Sequence, residues 1–245
     1  MWSNKQKVLV LVEGERTDVF LMNRLFSIYK MDVEYEIVPY RTNIYVLYKE
    51  MFENSDPEEI DLLQLLKSHE TDPERKAIFD YYYSDILLIF DLDPQDGKFS
   101  PEIIGRMARY FVESSDMGKL YINYPMVESF FHMASIPDPN YDNYDASIEE
   151  LKSHKYKKRV QQETVYHEYR KFASSRSECN IVIKQNISKA WKLVTGTTYT
   201  EAEPPAQIEI LAAQLSKLLD QKCVSVLSTC AFFISEYNPR LIYED

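Results

Sequence analysis

Two uninterrupted apolar runs, each ending at an acidic residue, constrain this 245-residue chain more than any other feature. Residues 7–12 read KVLVLV and stop at Glu13-Gly14; residues 85–90 read DILLIF and run into Asp91-Leu92-Asp93. Neither run alternates polar and apolar positions. A strand with one solvated face alternates, and a strand covered on both faces does not, so both runs predict interior strands of a parallel sheet. Shorter strands are expected at residues 35–38 (YEIV) and 119–123 (KLYIN), and helices at about 17–28, 44–52, 58–67, 73–83 and 101–114. Thr17 or Asp18 suits the N-terminus of the first helix, and Pro101 suits the first turn of the last. Alternating strands and helices imply an α/β fold, a small parallel sheet flanked by helices. Only 5 glycines are present, which disfavours a loop-rich all-β alternative.

Pro137-Asp138-Pro139-Asn140 breaks this pattern. Beyond it the sequence reads as helices at about 148–153, 160–173, 181–194, 205–220 and 224–236. The expected organisation is an α/β part over residues 1–140 and an α-helical C-terminal region over 141–245. A hydrophobic fraction of 45% supports a packed core. Residues 224–235, the most apolar later stretch, are too few to span a bilayer. The opening apolar run is too short for a signal peptide and is interrupted by Glu13. Cys179, Cys223 and Cys230 form no CxxC pattern, so neither a zinc site nor a disulfide framework is expected. A reduced, cytoplasmic, non-membrane setting is the expectation.

In a parallel sheet the C-terminal ends of all strands share one edge, and ligands bind there where the strand order reverses. Glu13, Asp91 and Asp93 are thereby expected to meet, although Glu13 and Asp91 lie 78 residues apart. On an extended chain, the DxD spacing puts Asp91 and Asp93 on one side and Leu92 in the core. Grouped carboxylates repel one another, so without a cation at least one retains a proton. Mg²⁺ or Mn²⁺ suits such an all-oxygen set and would activate water toward a phosphodiester. Each motif alone also reads as acids capping the next helix.

The segments VLVLVEGERTDVFLMNRLF and LLIFDLDPQD resemble the Toprim domain of topoisomerases, primases and overcoming-lysogenisation-defect nucleases. EGERTD is similar to the EGxxTE/D form of short stand-alone Toprim proteins in bacterial phage-defence operons. Residues 123–130 (NYPMVESF) are similar to the NPxxE-type motif of that group, with Tyr124 interposed. The resemblance covers about residues 7–135 and implies a Toprim-like catalytic domain over residues 1–140. It implies that Glu13 is a metal ligand or general acid/base and that Asp91 and Asp93 are metal ligands. It further implies that Asp18 is a ligand for a second metal and that Glu128 lines the same metal site. Glu128 reads equally well as an acid favoured at a helix N-terminus.

The formal charge is −11, which argues against broad non-specific coating of nucleic acid and permits docking to a basic partner. One segment runs the other way. Residues 152–171 hold seven bases (Lys152, Lys155, Lys157, Lys158, Arg159, Arg170 and Lys171) against Glu163 and Glu168. Tyr156, Tyr166 and Tyr169 are interleaved, as in a surface that stacks bases. The first five of those bases are the candidate nucleic-acid contacts; an ordinary solvated helix face is the alternative. His132, His154 and His167 have no metal-ligand spacing, and Trp191 sits at core spacing with Ile187 and Val194.

The expected function is metal-dependent hydrolysis of RNA, including transfer RNA, or of DNA, by an endonuclease. The resemblance adds a role as toxic effector in anti-phage abortive infection, control by a partner ATPase, and an active homodimer. The alternatives are a non-catalytic Toprim-scaffold binding subunit and a nucleotidyl transferase.

Overall fold

The computed structural model describes residues 6–53, 56–115, 117–197 and 203–243. Its centre is a five-stranded sheet: β1 (Lys7–Val12), β2 (Glu34–Pro39), β3 (Asp85–Asp91), β4 (Val112–Glu113) and β5 (Gly118–Asn123). The order is β2-β1-β3-β5-β4, parallel except for the antiparallel edge strand β4. The two apolar runs are the interior strands β1 and β3, with Val8 paired to Asp85 and Val12 to Ile89. Leu9 to Val12 and Leu88 to Phe90 are essentially inaccessible. The chain leaves β1 toward β2 on one side and returns to β3 on the other, so the strand order reverses between β1 and β3.

Helix α1 (Thr17–Tyr29) buries Leu21, Met22, Leu25, Phe26 and Tyr29 against the core and ends at the left-handed Lys30. Short helices α2 (Ile44–Tyr48), α3 (Leu62–His69) and α4 (Pro73–Lys76) link β2 to β3. Asn43, Asp61 and Asp72 cap them by accepting backbone N–H bonds. α5 (Pro101–Tyr110) begins at a Ser100 cap with Pro101 in its first turn.

The C-terminal part adds α6 (Ile148–Lys152), α7 (Tyr156–Glu163), α8 (Arg176–Thr195), α9 (Gln207–Gln221), α10 (Phe232–Tyr237) and α11 (Arg240–Tyr243). It also contains a two-stranded ribbon, β6 (Asp145–Ser147) against β7 (Cys223–Ser225). This part closes on the end of the sheet. Leu227 and Tyr124 exchange N–H···O bonds of 2.8 and 2.9 Å. Thr229 Oγ1 donates to the Ile122 carbonyl at 2.9 Å, and Ser228 Oγ to Asn123 Oδ1 at 2.9 Å.

Several expected helices are shorter than their patterns suggest. The one beginning at Pro101 stops at Tyr110, because Val112–Glu113 pairs with Lys119 and Gly118 as β4. The expected 73–83 helix is one α turn followed by a 3₁₀ turn at Ala77–Asp80. The expected 160–173 helix starts at Tyr156 and ends at Glu163, where the Thr164 hydroxyl donates to Val160 and Phe131 carbonyls. Residues 224–231 are not helical. The Gln214 side chain brackets both backbone groups of Ser225 at 2.8 Å, which satisfies that backbone in extended form. Trp191 is half-buried against the core. Among the described residues no helix is long and apolar enough to cross a membrane.

Candidate active site

The strand order places Glu13 and Asp91 side by side. The Glu13 N–H donates to Ile89 on β3 at 3.1 Å, and its carbonyl accepts from Arg41 beyond β2 at 3.0 Å. Its backbone is thus tied to both neighbouring strands. Its carboxylate turns toward β3 and accepts the Asp91 N–H at Oε2, 3.2 Å away.

Asp91 ends β3 and is buried, with one weak donor, Asn123 Nδ2 at 3.4 Å. The chain then turns. Leu92 is fully buried, its N–H on the Asn123 carbonyl and its own carbonyl accepting from the Tyr45 hydroxyl at 2.5 Å. Asp93 is not extended: its φ is 42°, a left-handed backbone uncommon outside glycine. Its N–H donates to Pro125 at 3.1 Å, and its carboxylate accepts from Gln95 Nε2 at 2.9 Å. The extended DxD geometry expected from spacing is therefore corrected to a tight turn. Asp91 and Asp93 still face one cleft.

Asp18, in the first turn of α1, is buried with Oδ1 unpartnered. Gly14 is what admits it, since a Cβ at residue 14 would stand 2.5 Å from Asp18 Oδ2. Glu128 lies in the 3₁₀ turn Val127–Phe131 that follows β5. It is buried, with Oε1 3.1 Å from Lys157 Nζ and Oε2 unpartnered. Glu13, Asp18, Asp91, Asp93 and Glu128 thus line a single open cleft of about 890 Å³ at the C-terminal rim.

The electrostatics follow from that crowding. Burial first, then the Asp93 and Asp18 charges, push the Glu13 carboxyl up to about 8, against the opposing Asp91 N–H bond and Lys157. Burial raises Asp18 to about 6, with the Glu128 charge adding to it. Asp91 is held well above its ordinary range by burial and then by Glu13, Asp18, Asp93 and Glu128. Asp93 is raised by burial, with Asp96 and Glu128 adding. Burial works to lower the Lys157 ammonium, but Glu128, Asp91 and Asp93 outweigh it and raise its proton affinity. At neutral pH, therefore, the cleft holds protons that free carboxylates would release.

Among the described residues, no three acidic, histidine or cysteine side chains already form an ion cage. The donor set nevertheless suits a hard divalent cation. Every candidate ligand is a carboxylate oxygen, two buried oxygens lack any partner, and the repulsion that raises these groups is what a cation relieves. Glu13, Asp91 and Asp93 would hold such an ion, with Asp18 and Glu128 beside them.

Of the basic segment, only Lys157 reaches the cleft. Lys152, Lys155 and Lys158 are exposed. Arg159 is held within the protein by Glu150 at 2.9 Å and the Asp145 carbonyl at 2.8 Å. The base-stacking expectation for the tyrosines is corrected. Tyr156 is fully buried with its hydroxyl 3.2 Å from His132 Nδ1, and Tyr169 stacks on Phe131 at 4.6 Å. Tyr166 stays exposed, bonded to Glu178. Lining residues not foreseen from sequence are Arg16, Arg41, Asn43, Gln95 and His154. Arg41 follows β2, so the same rim logic that selected Glu13 would have selected it.

No protein-family model matches the chain, and no curated protein or solved structure is significantly similar to it. The fold and the cleft define its class by themselves: an α/β protein with a carboxylate-lined site at the switch point of a mostly parallel sheet.

Proposed function

We propose that the chain is a magnesium- or manganese-dependent phosphodiesterase, a Toprim-type nuclease acting on RNA or DNA. One observation carries this reading. Carboxylates from the ends of β1 and β3, from the start of α1 and from the turn after β5 converge in one cleft with raised proton affinities and unpartnered oxygens.

Each residue has a part in that chemistry. Asp91 and Asp93 supply oxygens from a turn pinned by Asn123 and Pro125. Glu13, fixed by the Asp91 N–H at Oε2, would position the attacking water or take its proton. A bound Mg²⁺ would lower the pKa of an attacking water and stabilise charge on the scissile phosphate. Lys157, the internal counter-ion of Glu128, offers a cation to the phosphate. The EGERTD and DLD motifs, which resemble Toprim proteins of phage-defence operons, support an anti-phage toxic effector. They also support a cytoplasmic homodimer controlled by a partner ATPase.

A labelled-RNA and labelled-DNA cleavage assay tests this reading. The expected result is Mg²⁺- or Mn²⁺-dependent internal cuts that vanish in Glu13→Gln. Metal-independent cutting, or full activity in that variant, refutes it. A non-catalytic binding subunit is the second reading. It is favoured by the Lys157–Glu128 pair, which already neutralises part of the cluster. Metal binding without cleavage of any phosphodiester would select it.

A further inference from the structure

The strand order fixes an order of charge along the rim. Arg41 follows β2, Glu13 ends β1, Asp91 and Asp93 follow at the end of β3, and Glu128, paired with Lys157, follows β5. Acids occupy the middle and cations stand at both ends. With strands ~4.8 Å apart, the three steps from β2 to β5 separate the two cationic ends by roughly 14 Å.

Each end holds a second donor. Arg16, at the head of α1, lines the cleft with Arg41 and has no side-chain partner among the described residues. Among the described residues Arg41 is paired only with Glu15, and both side chains are about half exposed, at 44% and 56%. Such a surface pair is weak and easily exchanged. A second hollow of about 380 Å³ shares Arg16 and Arg41 with the cleft and adds Arg75, with Glu15 and Glu70 on its wall. Arg16 and Arg41 therefore stand on the wall between the cleft and this hollow. At the far end His154 stands beside Lys157, and its side chain is also unpartnered among the described residues. Arg41 and His154 both have left-handed backbones, φ 67° and 55°, as does Asp93 between them. Such conformations persist in non-glycine residues where the surroundings over-determine them, and they gather at functional sites.

We propose that the cleft takes a single nucleic-acid strand laid along the rim from β2 to β5, held by phosphates on both sides of the scissile bond. Arg16 and Arg41 hold one side; His154 and Lys157 hold the other. This rests on the phosphodiesterase reading above and adds which residues hold the strand on each side of the bond cut. A strand end or a mononucleotide engages one cationic cluster and leaves the other unused. The chain's charge of −11 disfavours broad coating by a polyanion, so contacts inside the cleft are expected to set the strand's path.

The test compares wild type with the double variants Arg16→Ala/Arg41→Ala and Arg16→Lys/Arg41→Lys. The substrates are short fluorescein-labelled RNA and DNA oligonucleotides and bis(p-nitrophenyl) phosphate, a diester with no flanking phosphates. In the alanine pair, kcat/KM should fall at least about tenfold more on the oligonucleotide than on the small diester. The slope of log affinity against log salt should become less steep by about one per arginine removed. The lysine pair should recover most of the loss. Equal losses on both substrates, or no loss on the oligonucleotide, would overturn the proposal while leaving the phosphodiesterase reading intact. Hydrolysis of neither substrate by wild type would instead overturn that reading. Fluorescence anisotropy of the same oligonucleotides then still decides the strand contact: weakened binding in the alanine pair supports it, unchanged binding refutes it.

Discussion

Asp91 and Asp138 are both buried, at 8% and 2% exposure, yet they stand in opposite kinds of site. Asp138 lies in the turn between the sheet and the C-terminal helices. It accepts the Ala134 N–H at 2.7 Å, the Asn140 N–H at 2.9 Å and the Tyr144 hydroxyl at 2.9 Å. Asp91, at the rim, has one long donor and several acidic neighbours. Burial is shared, so it cannot be what marks a functional carboxylate. What separates them is whether the fold supplies donors enough for the charge: around Asp138 it does, and around Asp91 it does not, a deficit that a bound cation would meet.

The comparison breaks if the two residues respond alike to neutralisation. Asp91→Asn is expected to lower metal-dependent cleavage on the order of a thousandfold. In the same variant, metal-free thermal stability should be preserved or raised, because a repelling carboxylate is removed. A large loss of metal-free stability by calorimetry would make Asp91 a structural residue like Asp138. Asp138→Ala is the converse. It removes the acceptor shared by the Ala134 and Asn140 N–H groups and the Tyr144 hydroxyl and should cost about 2 kcal/mol, seen as a Tm lowered by roughly 4–8 °C. An unchanged Tm there would remove the contrast.

Proton linkage sharpens the same point. A free glutamate ionises near 4.5, whereas Glu13 holds its proton to about 8; Asp18 moves from 3.8 to about 6. At low pH both folded and unfolded states are protonated, and the cluster costs nothing. As pH rises the unfolded chain ionises first, so metal-free stability falls between about pH 4 and pH 8 and levels beyond. The loss accumulates through that window and is complete above it. Thermal scans in chelator across that range check it, and a stability rising through the window would contradict it. Mg²⁺ should raise Tm more at the upper end of the window than at the lower. The smallest effect belongs to Tyr45→Phe, which removes the hydroxyl bond to the Leu92 carbonyl. It should cost about 1 kcal/mol of stability, measured by denaturant titration.

Much of this was legible in the sequence because it follows from unbroken apolar runs. KVLVLV and DILLIF could only be interior strands of a parallel sheet, and parallel strands bring Glu13 and Asp91 to one edge. What escaped has identifiable causes. β4 is two residues long and carries no periodicity. β6 and β7 lie about 80 residues apart and pair only through tertiary packing. The left-handed turn at Asp93 depends on the Pro125 carbonyl, which no local pattern announces. Tyr156 was readable in principle. It stands four residues before Val160, on the buried face of α7, and the surrounding lysines obscured that spacing. The approach of Lys157 to Glu128 depends on how the C-terminal helices close on the sheet, which composition does not encode.

Divalent-metal binding followed by titration calorimetry asks most directly whether the rim is a cation site. Wild type and Asp138→Asn should show saturable Mn²⁺ or Mg²⁺ binding, and Asp91→Asn should show none or binding at least about tenfold weaker. Saturable binding of equal strength in Asp91→Asn, or no binding by wild type at neutral pH, would contradict the account.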